Sequence, residues 1–85
     1  MAKYIIILSK KAQKALDGLS DHIAEPVFKS IAALEENQRP AGCKKLKGRD
    51  AYRIRSGDYR IIYEIIDEQL IIDVVAVGHR KDVYK

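Results

Sequence analysis

The chain opens with Tyr4-Ile5-Ile6-Ile7-Leu8, a β-branched run apolar at successive positions, which predicts a short strand buried in the middle of a sheet. Ser9 can cap a helix after it. Ala12, Ala15, Leu16 and Leu19 recur at helical spacing with Lys10, Lys11, Lys14 and Asp17 elsewhere, and Gly18 stands where such a helix would end. Ser20 or Asp21 can cap a second, longer helix with the stripe Ile23, Val27, Ile31 and Leu34, running out near Asn37 ahead of Pro40. Pro26 complicates it. A proline several residues into a helix clashes with the carbonyl four residues back, so it predicts a distorted first turn or a start near Glu25. His22, beside this start, reads as an ordinary surface residue.

Arg39 to Lys47 is a polar, basic connection containing Pro40 and Gly42, closed by Lys47-Gly48-Arg49. From Ala51 the period falls from 3.6 to 2. Tyr52, Ile54, Ile61, Tyr63 and Ile65 alternate with Arg53, Arg55, Arg60, Ile62 and Glu64 around Gly57-Asp58, a pair suited to a two-residue hairpin turn. Asp67-Glu68 makes a second turn into a strand from Leu70 to Val77. The order β-α-α-β-β-β predicts an α+β domain over residues 1–85, its helix pair packed on one face of a twisted, four-stranded, mainly antiparallel sheet.

Composition narrows the class. Twelve Ile, six Leu and five Val can fill one modest core, and 85 residues are too few for two. The longest apolar run, Tyr4 to Leu8, is far short of the ~20 residues a bilayer needs, so no membrane span is expected. That run is also too short for a secretory signal, and Cys43 is the single cysteine, which closes no intrachain disulfide. A reducing, cytoplasmic setting is therefore expected.

The net charge of +4 is unevenly spread. Residues 39–60 hold eight Lys and Arg against two acids, whereas 61–77 hold four acids and no Lys or Arg. Two readings fit this: an anionic partner meeting one part of the surface, or a solvated basic face.

The hairpin register sharpens the choice. With Gly57 and Asp58 as the loop, Ser56 faces Tyr59, Arg55 faces Arg60, Ile54 faces Ile61 and Arg53 faces Ile62, so three arginines share the face opposite the helices. Arg53 and Arg55 stand ~6.8 Å apart along the strand, and Arg55 and Arg60 about 4.5–5.5 Å apart at Cβ. Like charges directly opposite are destabilising, and a bound phosphate would offset that; separate pairing with Glu64, Asp73 or solvent is the alternative. A two-residue second turn would put Arg60 opposite Val75 and lead the tail, Gly78-His79-Arg80-Lys81-Asp82-Val83-Tyr84-Lys85, out beside the arginines. His79 then brings an imidazole suited to proton transfer at neutral pH, and Tyr84 a ring that can stack on a base or exchange a proton; a frayed terminus is the plainer reading. No cysteine pair, histidine cluster, glycine-rich phosphate loop or Ser-His-acid pattern is present, so neither a metal nor a cofactor is expected.

Tyr52-Arg53-Ile54-Arg55-Ser56-Gly57-Asp58-Tyr59-Arg60-Ile61-Ile62-Tyr63-Glu64 and Val77-Gly78-His79-Arg80-Lys81-Asp82-Val83-Tyr84 resemble the RelE/ParE superfamily of toxins, closest to its RelE branch. Lys11 to Leu16 and Lys45-Leu46-Lys47-Gly48 add to the match, which covers nearly the whole chain. The resemblance implies a RelE-like fold and a type II toxin that enters the A site of a 70S-type ribosome and cleaves messenger RNA. It also implies a cognate, RelB-like antitoxin, for which an acidic amphipathic segment is expected against the basic face.

Residue by residue, it puts Arg53 and Arg55 at a basic pair on the second strand, Arg60 at a phosphate-binding arginine, Arg80 at a catalytic arginine and Tyr84 at a base-stacking tyrosine. Lys45 and Lys47 are expected to bind substrate beside them. The basic pair is lysine in the best-known members, and arginine effectively cannot lose a proton, so Arg55 acts through charge while His79 or Tyr84 is the general base. The implied chemistry is attack of a 2′-hydroxyl on the adjacent phosphate, without metal. A ParE-like toxin that inhibits DNA gyrase and has no nuclease activity is the alternative.

Overall fold

The computed structural model describes residues 3–48 and 50–79. Strand β1 (Ile5–Leu8) leads into α1 (Lys10–Asp17) and α2 (Asp21–Ala33), and the chain continues through β2 (Lys44–Lys45), β3 (Ala51–Ser56), β4 (Tyr59–Ile66), a 3₁₀ turn (Asp67–Gln69) and β5 (Ile71–His79). The sheet runs β1-β5-β4-β3-β2, with β1 parallel to β5 and every other pair antiparallel. It thus has five strands where four are predicted, because Lys44 and Lys45 pair with Arg53 and Tyr52 inside the basic connection.

Helix α1 conforms closely to the sequence pattern. Ser9 accepts a hydrogen bond at Oγ from the Ala12 N–H (3.0 Å), satisfying one of the donors a helix start leaves open. Ala12 and Leu16 are buried, and Gly18 closes the helix in a right-handed conformation, with its N–H on the Lys14 carbonyl. Helix α2 begins at Asp21, four residues before Glu25, and continues through Pro26. The proline therefore lies in the second turn, where it removes one backbone hydrogen bond; the buried residues Val27, Ile31 and Leu34 hold the helix on the sheet regardless. Opposite them lie Ile54, Ile61, Tyr63, Ile72, Val74 and Val77, completing one core on one side of the sheet.

The first strand departs from expectation. β1 is an edge strand, and although Ile6 and Leu8 pack on the core, Ile5 and Ile7 lie on the uncovered face, 63% and 45% exposed. A run apolar on both sides reads as central, but here only its inner half is covered.

The second correction concerns β5. The turn after β4 takes four residues, with Leu70 in the left-handed region (φ 57°), so Ile66 faces Ile71. A bulge lies just beyond: Tyr63 pairs with Val74 and Ile62 with Ala76, leaving Val75 without a partner on β4. Ser9 secures this point by donating from Oγ to the Val75 carbonyl (3.1 Å), while the Ser9 N–H donates to the Val74 carbonyl (3.0 Å). Arg60 consequently faces Gly78, not Val75, and the strand continues through His79 opposite Tyr59.

At the other end of the sheet, Asp67 accepts hydrogen bonds from the Tyr4 hydroxyl (2.6 Å) and from Arg39 Nη2 (3.2 Å). Arg39 also lies over the Tyr52 ring, 5.4 Å from its centroid, and Tyr52 stacks on Tyr63 at 6.0 Å. The Tyr4 hydrogen bond, then Arg39, holds the Asp67 carboxyl below its ordinary range. A depressed carboxylate stabilises the fold above its unfolded value, about pH 4, and that contribution is lost as pH falls through the lower folded value. Urea denaturation across pH 2–7 should accordingly show an acid limb that Asp67→Asn flattens, with little change in the neutral-pH slope against denaturant.

Candidate active site

Gly57 adopts φ 60°, a backbone that L-residues rarely enter, and so makes a two-residue loop between β3 and β4 feasible. The observed pairs are Ser56 with Tyr59, Arg55 with Arg60, Ile54 with Ile61 and Arg53 with Ile62, as the sequence predicts. Ser56 and Tyr59 close the loop as the hydrogen-bonded pair, which makes Arg55 and Arg60 the closer, non-hydrogen-bonded kind, with Cα atoms about 4.5 Å apart.

Arg53, Arg55 and Arg60 therefore stand on the sheet face away from the core. Arg55 is exposed; Arg53 and Arg60 are half-buried. Toward β4 and β5 that face is small or apolar beside them: buried Ile62 lies opposite Arg53, Ala76 opposite Ile62, and Gly78 opposite Arg60. This has two effects. Gly78 contributes no side chain beside Arg60, and buried Ile62 lowers the local dielectric, which strengthens the pull of the guanidiniums on an anion. Glu64 and Asp73 occupy the same face farther from the hairpin, directly opposite one another.

The histidine does not join the arginines. His79 faces Tyr59 across β4 and β5, and the two rings meet edge to face at 5.6 Å. Tyr59 packs against the core, so this pair lies on the helix side of the sheet. The bulge is the cause: one extra residue in β5 turns over every side chain beyond it, moving His79 from the arginine face to the other.

The basic loop is also sorted by register. Lys45 faces Tyr52, which packs on the core, and its Nζ lies 3.7 Å from an Asp50 carboxylate oxygen. Lys47 is exposed beyond β2, and with Lys45, Leu46, Gly48 and Asp50 it lines a shallow depression of about 570 Å³ at the sheet edge. The lysine that faces Arg53 is Lys44, which sequence reasoning passed over; the register of a two-residue strand was the missing signal. Arg80 and Tyr84 lie outside the described residues. Cys43 adjoins Tyr63, whose hydroxyl donates to the Gln38 carbonyl (2.8 Å), and burial, then Cys43, pushes the Tyr63 phenol well above its ordinary range. That phenol stays protonated and structural. Among the described residues no three His, Cys, Asp or Glu side chains gather as a metal site, and no helix is long and apolar enough to cross a membrane.

The family profile described as ParE toxin of type II toxin-antitoxin system, parDE, matches residues 6–84. A RelE-like toxin protein from Escherichia coli is 35% identical over 86 residues, covering 96% of this chain and 90% of its own. The mRNA interferase toxin RelE of Escherichia coli K12 is 32% identical over 81 residues, with 92% and 84% covered. Among solved structures, the RelBE2 toxin-antitoxin complex of Mycobacterium tuberculosis contains a chain that superposes with a TM-score of 0.83 at 26% identity, covering 96% of this chain and 97% of that one.

Proposed function

Because the chain belongs to the ParE toxin family of type II toxin-antitoxin systems, we propose that it is a ribosome-dependent endoribonuclease that cuts messenger RNA in the A site and so stops translation. The observation that carries this reading is the Arg55–Arg60 pair, two cations set opposite each other on the face away from the core, beside Gly78. The naming of a 32% identical relative as an mRNA interferase supports it.

In this reading a 2′-oxygen attacks the neighbouring phosphorus, and the bond from phosphorus to the 5′-oxygen breaks, leaving a 2′,3′-cyclic phosphate and a 5′-hydroxyl. Arg55 and Arg60 hold the non-bridging oxygens and stabilise the charge that builds on the pentavalent phosphorane. Arg53 binds the strand alongside. Arg80 stabilises the charge on the leaving 5′-oxygen, which takes its proton from water, and Tyr84, as the phenolate, takes the 2′-proton, since His79 faces the helix side of the sheet. The protons move between substrate, the Tyr84 oxygen and water, so the scheme calls for no metal or other cofactor. The ribosome supplies the orientation of a flexible strand that one small cationic face does not, and the reaction belongs in the cytoplasm, where ribosomes are.

The partner in this reading is a RelB-like antitoxin. Its expected acidic, amphipathic segment is disordered when free and folds over the arginine face, so that high salt weakens the complex. The match to a ParE toxin description favours one second reading, a ParE-like toxin, for which the resemblance implies inhibition of DNA gyrase without nuclease activity.

Induced expression of the chain alone separates the two. New ends in ribosome-bound messages are expected, with purified protein cutting naked RNA far more slowly. Gyrase-linked DNA breaks without new message ends would replace this reading with the second.

A further inference from the structure

The cationic face continues one strand beyond the hairpin. Lys44 on β2 lies directly across from Arg53, exposed and on the side away from the core. Two like-charged cross-strand pairs are thus adjacent: Lys44 with Arg53 and Arg55 with Arg60. Lys45, its neighbour, lies on the other face and has Asp50 within 3.7 Å, whereas among the described residues Lys44 has no ion-pair or hydrogen-bond partner.

An edge lysine has an ordinary use, which is to block pairing with another chain's strand. A charge of either sign does that. Opposite Arg53, an acid would serve and add attraction, whereas lysine adds repulsion. The sign of the charge is the one an anion bound on this face requires. Placement narrows which one. Lys44 is two strand spacings from Arg60, each about 4.8 Å, and one ~6.8 Å step farther from the loop than Arg55. That sets it to one side of a phosphate held between Arg55 and Arg60, nearer the next one along a strand.

We infer that Lys44 contacts a second RNA phosphodiester, next to the one that is cut, and so governs RNA affinity and not the chemical step. The inference rests on the nuclease reading for its setting, but its test has a part that does not. Loss of one phosphate contact on a single strand reduces the salt slope of binding by about 0.7–1. Lys44→Ala should therefore lower that slope for a short 2′-O-methyl RNA bound by the isolated protein, read by fluorescence anisotropy. Lys44→Arg should keep it, and Lys29→Ala, which removes the same charge from α2, should change it far less.

On programmed ribosomes, Lys44→Ala should raise KM by about 5–10-fold and leave the saturating single-turnover rate within about twofold. The second phosphate has two possible sources. If a message with one neutral methylphosphonate beside the cut makes wild type and Lys44→Ala alike, the contact is to message; if the defect persists, it is to ribosomal RNA. An unchanged salt slope with unchanged KM in a variant that melts like wild type would overturn the inference and leave Lys44 as edge protection. If the oligonucleotide slope shifts as expected while wild type cuts no message, the nuclease reading falls and the phosphate contact stands.

Discussion

Arg60→Ala should lower the single-turnover cleavage rate on programmed ribosomes by about 10²–10³-fold, the scale of losing one oxyanion donor. Arg60 is half-buried, faces Arg55 at close range and has Gly78 as its cross-strand neighbour on β5. Its contact strengthens as negative charge accumulates on the phosphorane, and the loss should fall on the rate at saturation more than on KM. Arg60→Lys should recover only part, because a point charge replaces a planar fork that holds two oxygens. A rate within a few-fold of wild type for folded Arg60→Ala would remove the phosphate from this cleft.

The second large effect separates Tyr84 from His79. Tyr84→Phe should cost about 10²–10⁴ in rate, the range for losing a general base, whereas His79→Gln should stay within a few-fold of wild type with its pH–rate profile intact. The reason is geometric: His79 is cross-strand from Tyr59 and meets its ring on the core side of the sheet. If His79→Gln lost most of its activity and also lost an acid limb near the pH where a histidine titrates, about 6–7, the imidazole would be the base. A loss at every pH with a lowered melting temperature would instead report the Tyr59 contact.

Much of this site is legible in sequence, for identifiable reasons. A Gly-Asp pair between alternating segments allows one compact loop, and once Gly57 and Asp58 are the loop every pair from Ser56–Tyr59 to Arg53–Ile62 is determined. Ser9 marks a helix start because few residues accept a hydrogen bond from a first-turn N–H. What is lost is lost where the pattern is degenerate. Val74-Val75-Ala76-Val77 is apolar at each position, so alternation says nothing about where the strand skips a partner. Ile5 and Ile7 look central because they are as apolar as Ile6 and Leu8, though only the latter two are covered. Lys44 and Lys45 are chemically identical, and only pairing with Arg53 and Tyr52 assigns them to opposite faces. Pro26 argues for a late helix start by local rules, and the packing of Val27 and Ile31 overrides it.

The bulge at Val75 changes how related sequences should be compared. Because side chains alternate strictly along a strand, a single residue gained or lost between Ile72 and His79 reverses the sidedness of every residue beyond it. In an alignment such a gap would look like harmless length variation. It would in fact exchange which of two adjacent residues stands on the arginine face, so a toxin of this fold with one residue fewer there could carry identical residues at aligned columns and present a different set of them on that face. Column-by-column identity across that stretch measures shared chemistry only when the number of residues from the Ser9 contact to the end of β5 is the same.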